Sequence, residues 1–218
     1  MNVITIERKI LEKNDEVAIK NRELLSGKKI LTINLVSSPG AGKTSLLEKT
    51  LEHLKDKIPI SIIEGDVQTS IDAERVAKYN VPVVQIVTNG ACHLEAKLVQ
   101  DALGSLDLTK TKLLFIENVG NLVCPAAYDL GEDMKVVIAS TTEGDDKPLK
   151  YPRMFLNAAV LIINKTDLLP YIDCNADTLK NNALKINPNL IIFETSATTG
   201  EGVEKWCRWL EEQISKKK

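Results

Sequence analysis

The run Ser37-Ser38-Pro39-Gly40-Ala41-Gly42-Lys43-Thr44, followed by Ser45, has a spacing that binds phosphate. Gly40 and Gly42 let the backbone turn tightly around Ala41 and aim successive N–H groups at phosphate oxygens. A helix starting at the end of the run adds its positive end. Lys43 then reaches the β- and γ-phosphates of a nucleoside triphosphate, and the Thr44 hydroxyl goes to Mg²⁺. Ser37 stands where such loops usually carry their first glycine.

Two further motifs select the base. Asn164-Lys165-Thr166-Asp167 ends an apolar run. The Asp167 carboxylate offers two acceptors, which match the adjacent N1–H and N2 amino donors of guanine. Adenine lacks that pair, and a site built for paired hydrogen bonds rejects the analogue that leaves them unmade. Asn164 braces the loops and the Lys165 stem lies along the base plane. Downstream, Thr195-Ser196-Ala197 places the Ala197 N–H where it can donate to the guanine carbonyl. The expected substrate is therefore GTP rather than ATP.

Acidic residues supply the metal and water chemistry. Glu117 ends the apolar run Leu113–Ile116 and Gly120 follows three residues later. Glu117 can reach Mg²⁺ directly or through water, and the Gly120 N–H can donate to the γ-phosphate, so this turn is expected to sense hydrolysis. Asp66, in Glu64-Gly65-Asp66, is a second candidate for the magnesium shell. Asp72 could orient the attacking water; equally, Thr69-x-x-Asp72 has the form of a helix-start cap. Lys43, Asp66, Asp72 and Glu117 are thus the candidate catalytic set.

A second chemistry is suggested by Cys92-His93 and Cys124. Thiolate and imidazole are strong Zn²⁺ ligands and good Ni²⁺ ligands. Both segments are expected to leave the carboxyl ends of neighbouring strands, the edge at which α/β proteins place ligands. Three ligands do not complete a tetrahedron; a two-fold dimer would bring six together. Without a C-x-x-C pair, two buried thiols and an exposed histidine serving no metal is an alternative reading of the same residues. Cys207 lies on an apolar stripe with Val203, Leu210 and Ile214 and reads as core, Cys174 sits in a polar loop, and His53 reads as surface.

The elements that must position these residues alternate. Residues 1–27 read as a leading helix with apolar rows Ile10, Val17, Leu24 and Leu11, Ala18, Leu25, suited to docking on the domain or on a second chain; Gly27 is its stop. Strands are expected at Ile30–Val36, Ile58–Glu64, Val83–Val87, Leu113–Ile116, Val136–Ser140, Val160–Asn164 and Leu190–Phe193. Helices are expected at Ser45–Lys57, Ser70–Tyr79, Leu94–Leu103 and Gly202–Ser215. Continuously apolar strands separated by helices imply a doubly wound α/β fold with a mainly parallel sheet, a single globular domain over residues 28–218.

The 218 residues are 44% hydrophobic and 27% charged with a net charge of −2, an ordinary globular balance that disfavours non-specific nucleic-acid binding. No apolar run approaches a membrane span, and acidic residues within the first 17 positions argue against a secretory signal. A cytoplasmic protein with reduced cysteines is the expectation.

Together the phosphate-loop run, Glu64-Gly65-Asp66, Asn89-Gly90-Ala91-Cys92-His93, the stretch Glu117–Pro125 ending in Cys124-Pro125, and Thr142–Pro152 resemble the hydrogenase nickel-insertion GTPases, the HypB family. The resemblance runs from about residue 10 to the C-terminus. It implies a SIMIBI-type P-loop GTPase that dimerises when loaded with GTP. It also implies Zn²⁺ or Ni²⁺ at Cys92, His93 and Cys124, a partner nickel metallochaperone, and delivery of nickel to the large subunit of [NiFe]-hydrogenase. No Cys precedes position 92 and no His precedes position 53, so the cysteine- or histidine-rich nickel-holding stretches of some members have no counterpart in this sequence. The urease nickel-insertion GTPases are similar in fold and task but carry Cys-Pro-His in place of Cys-His. A third reading is a regulatory GTPase whose metal staples a dimer.

Overall fold

The computed structural model of the chain describes residues 6–68 and 71–217. The first five residues of the expected leading helix, together with Thr69 and Ser70 of the expected cap, lie outside them. Within the described residues, helix α1 (Ile6–Gly27) precedes seven strands: β1 (Leu31–Ser37), β2 (Ile60–Asp66), β3 (Val83–Val87), β4 (Leu113–Glu117), β5 (Met134–Ser140), β6 (Val160–Asn164) and β7 (Ile191–Glu194). They form one sheet in the order β3-β2-β4-β1-β5-β6-β7, every pair parallel. The connecting helices are α2 (Lys43–Leu54), α3 (Ile71–Ala77), α4 (Ala96–Leu103), α5 (Lys147–Lys150), α6 (Pro152–Leu156), α7 (Ala176–Ile186) and α8 (Val203–Lys216).

Strand side chains alternate between two apolar layers, as the two-residue period of a strand requires. On one face Leu31, Ile33, Leu35, Phe115 and Ile162 pack beneath α2 and α8 with Val76 of α3. On the other, Ile63, Leu114 and Ile116 meet α4 and Leu25 of α1, while Val137, Leu161 and Ile163 meet α6 and α7. Both faces being covered explains why β1, β4 and β6 are buried along their length rather than at every second residue. Trp206 is fully buried, and its indole N–H donates to Thr50 Oγ1 at 3.1 Å, which joins α8 to α2. Cys207 lies in the same layer. Helix α7, which the sequence reading passed over, hides its short apolar stripe (Leu179, Ala183, Ile186) among polar residues; Asn175 caps it by accepting from Thr178 N–H at 2.9 Å. Among the described residues no helix is long and apolar enough to cross a membrane.

Helix α1 is fixed by polar contacts more than by its apolar rows. Ala18 and Leu25 are buried, but Ile10 and Leu24 of the parallel row remain exposed. Between them Asn14 and Asn21 are buried. Asn14 accepts from Ala96 N–H (2.8 Å) and donates to the Asp129 carbonyl (2.7 Å). Asn21 donates to the carbonyls of Ala96 (2.9 Å) and Leu130 (3.0 Å). Arg22 binds both carboxylate oxygens of Asp129. Gly131 permits this approach: a Cβ there would stand 2.5 Å from Asn21 Cβ, and its φ of +91° suits glycine. Asn21→Ala would remove the side-chain donor that ties the buried carbonyls of Ala96 and Leu130 to α1, so it should destabilise the fold by about 1–3 kcal/mol. Urea denaturation checks this; an unchanged midpoint and slope would show that α1 contributes nothing to the cooperative unit.

Candidate nucleotide cleft and adjoining Cys-His cluster

Because every strand runs the same way, the carboxyl ends of β1, β2, β4 and β6 open on one edge, and the loops that leave them line a cleft of about 460 Å³. Its lining includes Gly40, Gly42, Lys43, Thr44, Ser45, Asp66, Asp72, Glu117, Gly120 and Lys165. The phosphate loop leaves β1 at Ser37 and enters α2 at Lys43, with Gly40 at φ +76° and Gly42 at φ +98°. A Cβ on Gly42 would lie 2.5 Å from Asn164 Nδ2, so position 42 requires glycine on steric as well as dihedral grounds. Ser37, the departure from the usual loop, is fully buried and accepts a hydrogen bond from Lys43 Nζ at 3.1 Å.

The base-side residues form one brace. Asn164 donates to the Ala41 carbonyl (3.0 Å) and accepts from Thr195 Oγ1 and Ala197 N–H (both 3.2 Å). Lys165, at φ +63°, donates to the Gly40 carbonyl at 2.8 Å. Asp167 Oδ1 is buried without a hydrogen bond among the described residues, while Ser196 Oγ accepts from Thr199 N–H. The Ala197 N–H that the sequence assigns to a guanine carbonyl is held here by Asn164.

At the phosphate end, the Thr44 hydroxyl donates to Glu117 Oε1 at 2.7 Å. The parallel register sets Glu64 directly opposite Glu117, and oxygens of Glu64, Asp72 and Glu117 lie within 4.8 Å of one another. Glu64 is the acid the sequence reading passed over. It sits inside β2, and strand register rather than spacing brings it to Glu117. Asp66, the expected ligand, lines the same cleft and accepts from Gln68 N–H, but it is not one of the three converging carboxylates. Burial, then the neighbouring Glu117, pushes Glu64 up to about 8. Burial raises Glu117 to about 7 against the pull of Lys43. Glu64 Oε2 and Glu117 Oε2 are buried without hydrogen bonds among the described residues. A hydroxyl and clustered carboxylate oxygens of this kind fit a hard divalent cation such as Mg²⁺. Arg75, also missed, bonds Asp72 Oδ1 (3.1 Å), Ser45 Oγ (3.0 Å) and Glu48, and so holds Asp72 against the first turn of α2.

The thiol and imidazole side chains converge beside this cleft. Cys92 Sγ lies 3.0 Å from Cys124 Sγ and 3.8 Å from His93 Nδ1, and both cysteines are free thiols. Asn121 donates to the Cys92 carbonyl at 3.2 Å, linking the two loops. The His93 ring rests against Tyr128 with centroids 3.9 Å apart, and burial lowers its pKa. The hydrogen bond with Cys92 raises the Cys124 thiol. The expectation that these loops leave neighbouring strands is corrected: β2 lies between β3 and β4. They meet because β2 ends in Glu64-Gly65-Asp66, and side-chain-free Gly65 lets the residue after His93 cross above it.

The family described as "CobW/HypB/UreG, nucleotide-binding domain" matches residues 31–194. The hydrogenase maturation factor HypB of Escherichia coli strain K12 is 48% identical over 97% of this chain and 73% of its own length. Among solved structures, HypB from Helicobacter pylori in complex with nickel is similar at TM-score 0.89 and 39% identity, covering 94% of this chain and 96% of that one. HypB from Archaeoglobus fulgidus is similar at TM-score 0.87 and 37% identity, covering 93% and 99%.

Glu64 and Glu117 hold protons more tightly folded than unfolded, so the metal-free protein has this stability in full below about pH 4.5 and loses it as the pH rises through about 7 to 8. Glu64→Gln should flatten that loss by about 1 kcal/mol or more. Urea midpoints at pH 5.5 and 8.5 in chelator read the difference; identical losses in wild type and variant would show that this pair does not titrate as described.

Proposed function

The chain belongs to the CobW/HypB/UreG family of nucleotide-binding proteins, and on that premise we propose that it is a GTP-hydrolysing metallochaperone serving nickel insertion into [NiFe]-hydrogenase. The observation that carries this reading is the continuity of one segment: Glu117 accepts the Thr44 hydroxyl at its start, and Cys124, further along, stands 3.0 Å from Cys92. A change at the γ-phosphate and a change in the sulfur cluster are thus mechanically joined.

The chain's own groups divide the work. N–H groups of Gly40 to Ser45 at the start of α2 cradle the phosphates, and Lys43 exchanges its Ser37 partner for the β- and γ-phosphates, where it offsets developing charge. Thr44, Asp66 and Glu117, with Glu64 beside them, would hold Mg²⁺, which would neutralise phosphate charge. Asp72, steadied by Arg75, orients the attacking water. Gly120, whose missing side chain allows contact with Pro39 of the loop, reports the γ-phosphate. Asp167 and Ala197 select guanine. The catalytic set is Lys43, Asp66, Asp72 and Glu117.

Nickel is cargo, held by Cys92, His93 and Cys124; zinc could use the same ligands. A homodimer with a shared metal site supplies the ligands one chain lacks. A partner nickel metallochaperone loads the site and the hydrogenase large subunit is the final recipient, in the cytoplasm. Neither nucleic acid nor membrane enters.

Lys43→Ala should lower phosphate release by at least about 100-fold; a variant with the wild-type rate would remove Lys43 from the mechanism. Asp167→Ala should weaken GDP binding by about 100-fold or more and reduce discrimination against ADP, read by nucleotide titration. The function itself is tested by nickel competition with a metallochromic chelator on protein loaded with GDP or a non-hydrolysable GTP analogue. A state-dependent dissociation constant that is lost in Cys92→Ala supports metal gating. Equal constants leave a GTPase whose metal only staples a dimer.

A further inference from the structure

The cluster has two arms, and continuity with Glu117 accounts for only one of them. Cys124 shares a segment with Glu117, but Cys92 and His93 leave β3, a strand that contacts neither β1 nor β4. For nucleotide to move both arms, something must join the second arm to the cleft.

Two independent contacts do so, and both fall on Leu94, the residue after His93. Asn118, which follows Glu117, is 1% exposed, and its Oδ1 accepts the Leu94 N–H at 3.1 Å. The same oxygen accepts Val119 N–H at 3.0 Å, and Asn118 Nδ2 donates to Asn34 Oδ1 at 3.3 Å, so the carboxamide is fixed at both ends. Asn34 lies in β1, which leads to the phosphate loop, and donates onward to Glu132 Oε1 at 3.1 Å. The second contact is apolar. Leu94 is fully buried and presses on Gly65, where a Cβ would stand 2.8 Å from both its methyl carbons. Gly65 is flanked by Glu64 and Asp66 in the wall of the cleft.

We propose that Asn118 is the positioning residue that couples the nucleotide cleft to the Cys92-His93 arm, acting through the Leu94 amide. This rests on the nucleotide-gated metal reading and names its transmission. Asn118 touches neither phosphate nor metal in this role. When the Glu117–Gly120 turn follows the γ-phosphate, the carboxamide carries Leu94, and His93 with it, while Cys124 moves on its own segment. A buried N–H cannot be left without an acceptor at small cost, so Leu94 must follow Asn118 or unpair. The two arms then open or close together.

The test uses the full chain loaded with GDP or the non-hydrolysable GTP analogue. In Asn118→Ala all three metal ligands remain, so nickel should still bind, but the ratio of dissociation constants between the two states should fall by about threefold or more, leaving the part that Cys124 carries on its own segment. A folded variant that keeps the wild-type ratio overturns the proposal. The backbone amide resonance of Leu94 in the wild-type protein provides a reading that needs no variant. Because the bond to Asn118 is carried along rather than broken, the resonance should shift between the two nucleotide states while the amide stays protected from exchange in both. An unshifted resonance overturns the coupling even where metal affinity responds to nucleotide. A wild-type metal ratio of one, with the Leu94 resonance still responding, would instead refute the metallochaperone reading and leave the Asn118 link standing.

Discussion

The hydrogen bond from Thr44 to Glu117 joins the first turn of α2 to the end of β4, and the rest of the functional edge depends on it. It needs two buried polar groups to meet above a hydrocarbon sheet, at a cost recovered only when each is satisfied. The parallel sheet makes the meeting possible. β1 pairs with β4 in a register that sets Leu35 beside Glu117, and β2 pairs with β4 so that Glu64 faces the same carboxylate. Three strand ends thereby bring a hydroxyl, two carboxylates and the lysine of the phosphate loop into one small volume. Desolvation, and for Glu64 the repulsion of Glu117 as well, holds both acids well above their ordinary range. A cation is the natural relief for such an arrangement.

Much of the fold could be read from the chain. Val83–Val87 and Val160–Asn164 coincide with their expected spans, and β1, β4, β5 and β7 differ by a residue or two, because a continuously apolar run bounded by polar loops has few alternatives. The phosphate loop and the guanine-type motifs were legible because each is contiguous and lies where a strand ends. What escaped was long-range. Glu64 resembled one more charged strand end until register placed it against Glu117. Arg75 belongs to no motif in the sequence, yet it ties Asp72 to Ser45. The placement of β2 between β3 and β4 cannot be counted from sequence, so the meeting of Cys92 with Cys124 was foreseen for the wrong topological reason.

Asparagine recurs wherever loops must agree on a position. Asn164 holds the phosphate loop to the base loop, Asn118 and Asn34 join β4, β1 and the approach to α4, and Asn14 and Asn21 seat α1. A carboxamide carries both donor and acceptor and no charge, so it satisfies backbone groups of either kind without the desolvation penalty of an ion. Hydrophobic contacts supply the cohesion of the layers, but they are tolerant of small slides. These buried amides are not, and they lie nearest the cleft and the thiols.

Helix α1 shows what such a design implies for the order of assembly. Its partners are the backbone of Ala96, Asp129 and Leu130, 75 to 115 positions further along the chain. Those groups come together only after β4 has paired and α4 has settled, so a helix made early in synthesis finds its seat late. Once seated, it clasps the segment following Cys92-His93 and the segment following Cys124 at the same time. The N-terminal helix is thus a latch whose closure requires the two loops behind the thiols to be in place together.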